Sequence, residues 1–420
     1  MAQAQVRIVH AADIHLDSSQ DRLSRLNNAE LEDELNATQR GAFDRLIKYC
    51  LDTAPDALVL AGDLYDGDWK DFSTGLYFVN SMRDLHDANI PVVIVQGNHD
   101  AESVITRTLQ LPPNVHVMST DRVESWEHPD GGVIFHGQGF ATKAVRENLA
   151  RDYPFSIPGL VNVGVLHTSV AGYAGHDTYA PCSVQDLTGR GYEYFALGHI
   201  HRRTELNGGR HAVWFSGNLQ GRGIRETGPK GALDVVLTPG GEAEVSFVEL
   251  DVARWEALEV DVTGIDDFDE AMKSVLSTIE NARGGAGDLP LVVRITLRGT
   301  CAVARQLLDR DRVTAELQDQ ASRLRVGLDK VSTEVALPPD RVVLPERQRT
   351  LMQQVLNELQ EDASIILNDR DVSEDHNKLH TEIGRYLHQE VGINLKDDDL
   401  LQKIVLRAAR RAQVEIEGGD

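Results

Sequence analysis

The sequence predicts an α/β protein: a two-sheet β-sandwich flanked by helices, followed by a small α+β capping domain and a helical C-terminal region. Three features predict it. Over the first hundred residues, short apolar runs alternate with stretches of helical spacing; this β-loop-α rhythm gives an α/β domain with its sites at strand C-termini. From there to residue 250 apolar runs follow one another with little helix between, and two packed sheets accommodate that many strands. After residue 250 the pattern changes, and after Pro338-Pro339 it becomes helical and charged.

In chain order, Val6 to Ala11 reads as a buried first strand ending at Asp13-Ile14-His15. Residues 18 to 35 are polar and are expected to form a loop around a site mouth. Phe43, Leu46, Ile47, Cys50 and Leu51 then recur at helical spacing, with Asn36 or Thr38 as the cap. Ala57 to Ala61 is an apolar strand delivering Gly62-Asp63, and a second helix is expected over about 71–88. Pro91 to Val95 delivers Gly97-Asn98-His99-Asp100. Further strands are expected at Val115–Met118, Val133–Gly137, Val161–His167, Tyr194–Gly198, Ala212–Ser216, Ala232–Val236 and Glu244–Val248.

Trp255 to Val262 alternates like a strand, and Phe268 to Ile279 has helical spacing. A flexible Gly284-Gly285-Ala286-Gly287 follows, then a strand at Leu291–Leu297, a helix over 303–324 and a strand at Val326–Val335. The boundaries expected are 1–250 for the first domain, 251–338 for the α+β domain and 339–420 for the helical region, whose segments fall near 346–360, 376–391 and 398–414. Apolar stripes run along that region, as in Leu351, Val355, Leu356, Leu359 and in Leu379, Ile383, Leu387, Val391.

The chain has 420 residues, enough for two or three domains with a sizeable core. Its net charge of −24 argues against non-specific binding to a polyanion, though not against a local basic groove. Cys50, Cys182 and Cys301 are far apart and form no CxxC, as expected of free thiols in a reducing compartment. No apolar run approaches the roughly 18 residues of a membrane span. The first strand begins almost at once, leaving no room for a signal peptide, so a cytoplasmic location without membrane attachment is expected.

The polar residues at the strand ends form one chemical set: Asp13, His15, Asp63, Asn98, His167, His199 and His201. Singly, Gly62-Asp63 is as readily a turn, and Asn98-His99-Asp100 as readily a helix cap. Jointly, five separated pieces at strand ends carry the carboxylate, imidazole and amide donors that suit two divalent ions such as Mn²⁺, Zn²⁺ or Fe²⁺. No thiolate is among them, which excludes a cysteine-type structural zinc site. Asp63, central in the series and preceded by Gly62, is the natural bridge. Two such ions about 3.5–4 Å apart suit phosphodiester hydrolysis. His99 is left to hydrogen-bond the phosphate or protonate the leaving oxygen, with Asp100 fixing its tautomer. Metal loading is expected to weaken in acid because protons compete for His15, His167, His199 and His201.

Asp-x-His, Gly62-Asp63-Leu64-Tyr65-Asp66, Gly97-Asn98-His99-Asp100, a lone His167 and Gly198-His199-Ile200-His201, in this order, resemble the calcineurin-like metallophosphoesterases. More narrowly, His10-Ala11-Ala12-Asp13-Ile14-His15-Leu16-Asp17 and Ala196 to His201 resemble the SbcD-type DNA repair exonucleases. Ser216 to Arg222 and Arg225 to Gly231 resemble their YhaO-type branch. The resemblance implies that Asp13, His15, Asp63 and His201 hold one metal and Asp63, Asn98, His167 and His199 the other, usually Mn²⁺ in nucleases. It implies a nuclease acting on DNA over residues 1–250. It also implies docking of the C-terminal helices on an SMC-like ATPase of the SbcC or YhaN type, within a homodimeric assembly. One departure concerns the groove: SbcD proper has a Ser-Gly-Ser-Pro type turn where this chain has Ser216-Gly217-Asn218-Leu219.

The metal set alone does not choose the phosphate ester, because the superfamily also hydrolyses small phosphodiesters and phosphoproteins. Gly198 to Gly231 carries six basic residues, Arg202, Arg203, Arg210, Arg222, Arg225 and Lys230, against two acidic ones, Glu205 and Glu226. That contrast fits a phosphate-backbone groove, with Arg202, Arg203, Arg222 and Arg225 as contacts. Tyr173 and Tyr179 are candidates for base stacking. A small-molecule phosphodiesterase or phosphatase is the second reading, and a non-catalytic assembly scaffold the third.

Overall fold

The computed structural model describes residues 5–18, 26, 29–66, 72–102, 110–170 and 179–338. The helical segments expected beyond residue 339 lie outside them. Two compact units are present. One comprises residues up to Glu256 with Asp288–Val292, the other Ala257–Gly287 with residues from Val293 on.

The first unit begins with strand β1 (Val6–Ala11). Helices α1 (Ala29–Asn36) and α2 (Thr38–Thr53) then lead to β2 (Ala57–Leu60), and α3 (Phe72–Asp87) leads to β3 (Val92–Ile94). Next come β4 (Val115–Val117), β5 (Glu124–Glu127), β6 (Val133–Gly137), β7 (Val161–His167), the short α4 (Val184–Thr188) and β8 (Tyr194–Gly198). Strands β9 (Thr204–Asn207), β10 (Ala212–Phe215), β11 (Gly231–Leu237) and β12 (Glu244–Glu249) complete the sandwich.

The first sheet has the order β12-β11-β1-β2-β3-β4 and the second β5-β6-β7-β8-β10-β9. In each, four neighbouring strands are parallel and antiparallel strands close the edge: β11 and β12 in the first, β5 and β9 in the second.

Side-chain alternation sorts each strand's residues into two cores. Ile8, Val59 and Val93 of the first sheet meet Phe135, Val163, Val165 and Tyr194 of the second in the inter-sheet core. Val9, Leu58, Leu60 and Val92 face the other way, onto Phe43, Leu46, Phe78 and Met82 of α2 and α3. On the far side of the second sheet, Phe195, Leu197, Val213 and Phe215 pack with Tyr153, Leu187 and Tyr192. The two-sheet sandwich flanked by helices is the architecture expected from the sequence.

Local differences have physical causes. Residues 29–36, expected as loop, form α1, because Leu31 and Leu35 share one helical face and pack with Trp255 and Val292. Neither Asn36 nor Thr38 caps α2: Ala37 takes that position without a side-chain bond, and Thr38 Oγ1 donates to Leu35 O at 2.8 Å. β5 and β9 were not expected. Their sequences, Glu-Ser-Trp-Glu and Thr-Glu-Leu-Asn, are polar because they form sheet edges.

In the second unit, α5 (Phe268–Ala286) continues through Gly284 and Gly285, where a flexible linker was expected. β13 (Arg254–Asp261), β14 (Leu291–Thr300) and β15 (Val326–Ala336) form a three-stranded sheet in that order. The single helix expected over 303–324 is two, α6 (Ala304–Leu308) and α7 (Arg310–Arg323), broken where Asp309 accepts from Arg312 N. No described helix is long and apolar enough to cross a membrane.

One polar contact bolts the two sheets of the sandwich together. His10 on β1 is fully buried, with Nε2 3.2 Å from Leu197 O and Nδ1 2.9 Å from Tyr194 OH, both on β8. The carbonyl only accepts, so Nε2 carries the proton and Nδ1 accepts from the tyrosine. Burial pushes the His10 pKa down to about 3, so the ring is neutral in the folded protein. A depressed histidine pKa contributes stability above its unfolded value, near 6.5, that is lost as pH falls through that value. Tyr194→Phe leaves Nδ1 buried without its donor. We expect a loss of about 1–3 kcal/mol in urea unfolding at pH 7.5, and unchanged stability would remove the bolt.

Candidate metal centre

Every parallel strand near the middle of the sandwich ends in a candidate ligand. Asp13 and His15 follow β1, Asp63 follows β2, Asn98 and His99 follow β3, His167 closes β7, and His199 and His201 follow β8. The chain turns sharply there. Asp13, His15, Asp63 and His199 all have positive φ, at 52°, 48°, 52° and 102°. Left-handed backbone at non-glycine residues costs energy and persists only where the surroundings enforce it. Asp13 N donates to Gly62 O and His15 N to Asp63 O, locking the first two loops together.

Glycines let the two sheets close at this end. A Cβ on Gly198 would lie 1.9 Å from Ala61 O, and one on Gly62, where φ is 95°, would lie 2.4 Å from His167 Nδ1. The Ala61 carbonyl accepts from His167 Nδ1 at 3.0 Å. That bond puts the His167 lone pair on Nε2, which faces Asn98 Oδ1 at 3.0 Å and Asp63 Oδ2 at 3.5 Å. All three are acceptors.

The same situation recurs on the other side of Asp63. His15 Nε2 lies 3.3 Å from His201 Nε2 and 3.9 Å from Asp63 Oδ2. His201 Nδ1 is 2.7 Å from Glu226 Oε1 and therefore donates to it, leaving a second Nε2 lone pair pointed inward. Ligand atoms of Asp13, His15 and His201 lie within 4.8 Å of one another, as do those of Asp13, Asp63 and His167. The His199 ring packs 5.3 Å from the His167 ring, and the His199 backbone N–H donates to Asp13 at 3.0 and 3.1 Å. Carboxylate oxygens and imidazole lone pairs that converge on one buried space are what a cation satisfies. The donor set therefore fits metal ions.

The electrostatics agree. Burial, then the charge of Asp63, raises the Asp13 pKa well above the usual carboxylate range, and burial raises Asp63 to about 6. Burial lowers His15 well below its ordinary value and His167 to about 3. At neutral pH those two imidazoles are already uncharged. Protons therefore compete weakly at His15 and His167, and the raised carboxylates add to the acid sensitivity expected of the site.

His99 stands beside this cluster with its side chain about one-third exposed, 34%. Its Nδ1 is 3.0 Å from Asp66 Oδ1, and that hydrogen bond raises its pKa. The tautomer-fixing carboxylate is thus Asp66. Asp100, expected in that role, turns inward: Oδ1 accepts from Leu64 N and Tyr65 N, and Oδ2 from Gly97 N. It braces the β2 loop against the β3 loop, and burial followed by the Asp63 charge raises its pKa to about 7. Asp66 was quoted within a motif but given no role, because only the fold brings it to His99. Glu226 was likewise counted only as a charge.

The basic stretch is partly internal. Arg203 stacks over Phe247 at 3.5 Å, Lys230 is buried and donates to His201 O at 3.1 Å, and Arg222 lies between Glu226 and Asp66. Arg202 and Arg225 are exposed. Tyr179 packs on the His199 ring at 5.4 Å, while Tyr173 lies outside the described residues.

A family model described as calcineurin-like phosphoesterase matches residues 6–203. With this fold and donor set, that match defines the class as calcineurin-like metallophosphoesterase, a family that uses divalent metals. A second model, described as metallophosphoesterase YhaO, middle domain, matches residues 255–336. The "Uncharacterized metallophosphoesterase YhaO" of Bacillus subtilis is 32% identical over 298 residues, covering 70% of this chain and 71% of its own. The chain belongs to the YhaO family of metallophosphoesterases. It is also similar to the "DNA double-strand break repair protein Mre11" of Haloferax volcanii, 27% identical over 276 residues that cover 63% of this chain and 58% of that protein. One component of the nuclease SbcCD of Bacillus subtilis is 26% identical over 294 residues, covering 60% of this chain and 72% of its own.

Two outcomes follow from the geometry. Gly198→Ala forces Ala61 O and His167 away from their positions and should abolish tight Mn²⁺ binding while the purified protein keeps its circular dichroism spectrum. Mn²⁺ uptake should release a proton from Asp63 near pH 6, and that release should diminish as pH rises above about 6. Calorimetry in buffers of different ionisation heat measures it, and a release that is the same at pH 5 as at pH 7 would contradict the raised Asp63 pKa.

Proposed function

We propose that this protein is a metal-dependent DNA nuclease, cleaving phosphodiester bonds as an exonuclease or endonuclease, and that it serves as the nuclease component of a repair complex with an SMC-like ATPase. The observation that carries the reading is the convergence of buried carboxylate, amide and imidazole groups at the strand ends, with a protonatable histidine on its rim. Asp13, His15, Asp63 and His201 would hold one ion and Asp63, Asn98, His167 and His199 the other, with Mn²⁺ the expected metal and Zn²⁺ or Fe²⁺ the alternatives. Bound there, such ions supply positive charge for the phosphate oxygens and bring a water's pKa toward neutrality.

The chain's own residues do the rest. Asp66 keeps the His99 ring oriented and favours its protonated form, so His99 can give a proton to the leaving oxygen. Arg202 and Arg225, exposed on the loops after β8 and β10, would meet the phosphate backbone. The named relatives in double-strand break repair and the SbcCD nuclease favour DNA as the substrate. By the same likeness, residues 339–420 would dock on the ATPase within a homodimeric assembly.

The test is Mn²⁺-dependent cleavage of labelled single-stranded, duplex and hairpin DNA. Wild type should cut at least one of these and Asp63→Asn none. His99→Ala should lower kcat by about 10²–10⁴-fold with Mn²⁺ affinity retained. DNA left intact by wild type with Mn²⁺, even with its ATPase present, would sink the nuclease reading. Fast turnover of a small diester with indifference to DNA would put a small-molecule phosphodiesterase in its place.

A further inference from the structure

The loop between β10 and β11, residues 216–230, grips His201 from two sides. Asn218 N and Lys230 Nζ both donate to the His201 carbonyl, at 3.2 and 3.1 Å. Glu226 Oε1 takes the Nδ1–H at 2.7 Å. The carboxylate cannot swing away, because its other oxygen accepts from Asn218 Nδ2 at 2.9 Å and Arg222 N at 2.7 Å. The loop itself is anchored by Gln220, which bonds Ala253 O through Nε2 and Val252 N through Oε1, both at 2.8 Å.

The same loop reaches the proton-handling group. Arg222 Nη2 is 3.4 Å from Glu226 Oε1, and its Nη1 is 3.8 Å from Asp66 Oδ2. Asp66 Oδ1 in turn holds His99 Nδ1 at 3.0 Å. One chain of contacts therefore runs His201–Glu226–Arg222–Asp66–His99, from a strand end of the second sheet to a strand end of the first.

We propose that Glu226 is a positioning residue that fixes the ring and tautomer of His201 for metal binding, and that Arg222 ties this carboxylate to the Asp66–His99 pair rather than serving chiefly as a phosphate contact. An imidazole ligand needs its lone pair on the metal-facing nitrogen, and an outer carboxylate at the other nitrogen secures both the tautomer and the ring angle. Without Glu226 the His201 ring can rotate or carry its proton on Nε2, where it blocks binding. Arg222, with its two amino groups turned to two carboxylates, transmits the loop's position to Asp66. The metal part of this inference rests on the ligand set proposed above, and the tautomer part does not.

The experiment uses the full chain with Glu226→Ala, Glu226→Gln and Arg222→Ala. Nitrogen-15 NMR of metal-free protein reads the tautomer. His201 should be protonated on Nδ1 in wild type and mixed in Glu226→Ala. Mn²⁺ titration by calorimetry should then show one of two sites weakened by about 10- to 100-fold in Glu226→Ala, with the other unchanged. Glu226→Gln, which keeps an acceptor at Nδ1, should recover most of that loss. An unchanged His201 tautomer and unchanged Mn²⁺ affinities in a folded Glu226→Ala protein overturn the role of Glu226.

Arg222→Ala should keep both Mn²⁺ affinities and lower kcat on bis(p-nitrophenyl) phosphate with KM unchanged. A higher KM for DNA alone, with the small diester turned over as in wild type, would make Arg222 a substrate contact and overturn the link. If wild type cuts no DNA, the NMR and Mn²⁺ measurements still decide the role of Glu226, so the two readings fail separately.

Discussion

The structure depends on a convergence of buried carboxylate, amide and imidazole groups at the strand ends of both sheets. Asp63 lies between His15 and His167, the His167 lone pair faces inward, and Asp13 lies against both groups. Asp13 and Asp63 are 1% and 2% exposed, so water does little to relieve their repulsion. What keeps them together is the hydrophobic packing of the two sheets and the backbone hydrogen bonds of the strand-end loops, which enforce left-handed turns at Asp13, His15, Asp63 and His199. The core holds a polar cluster in place, at the cost of raising the pKa of both carboxylates.

Fold and site share their joints. His10 crosses from β1 to β8 at the middle of the sandwich, and the Ala61 carbonyl crosses to His167 at its end. The first contact aligns the strands and the second sets the tautomer of a candidate ligand. A shift of one sheet against the other by the width of a methyl group would therefore disturb both. Gly198, with no room for a side chain beside Ala61 O, shows how closely the two strand ends approach.

Much of this was legible in the sequence, and the reasons are specific. β6, β7 and β8 are fully buried, so their apolar runs stop where the strands stop. The candidate ligands were legible because each directly follows such a run. β5 and β9 were hidden because edge strands can be polar. α1 was hidden because its polar face outnumbers the two leucines that anchor it. The roles of Asp66 and Glu226 were hidden for another reason: each acts on a histidine more than twenty residues away, and chain spacing does not encode that contact. The run of arginines after His201 suggested a groove, but Lys230 is buried against the His201 carbonyl and Arg203 lies over the Phe247 ring of β12. Charge counted along a chain does not show which way each charge faces.

The candidate ligands come from both sheets: Asp13, Asp63 and Asn98 from the first, His167, His199 and His201 from the second. Ions seated among them would act as rivets across the sandwich, and binding to the folded state alone adds stability in proportion to the logarithm of the free metal concentration. The protein's lifetime would then report on metal supply. In a metal-starved cell the strand-end loops would open more often, cellular proteases would reach them sooner, and the abundance of the enzyme would fall together with its activity.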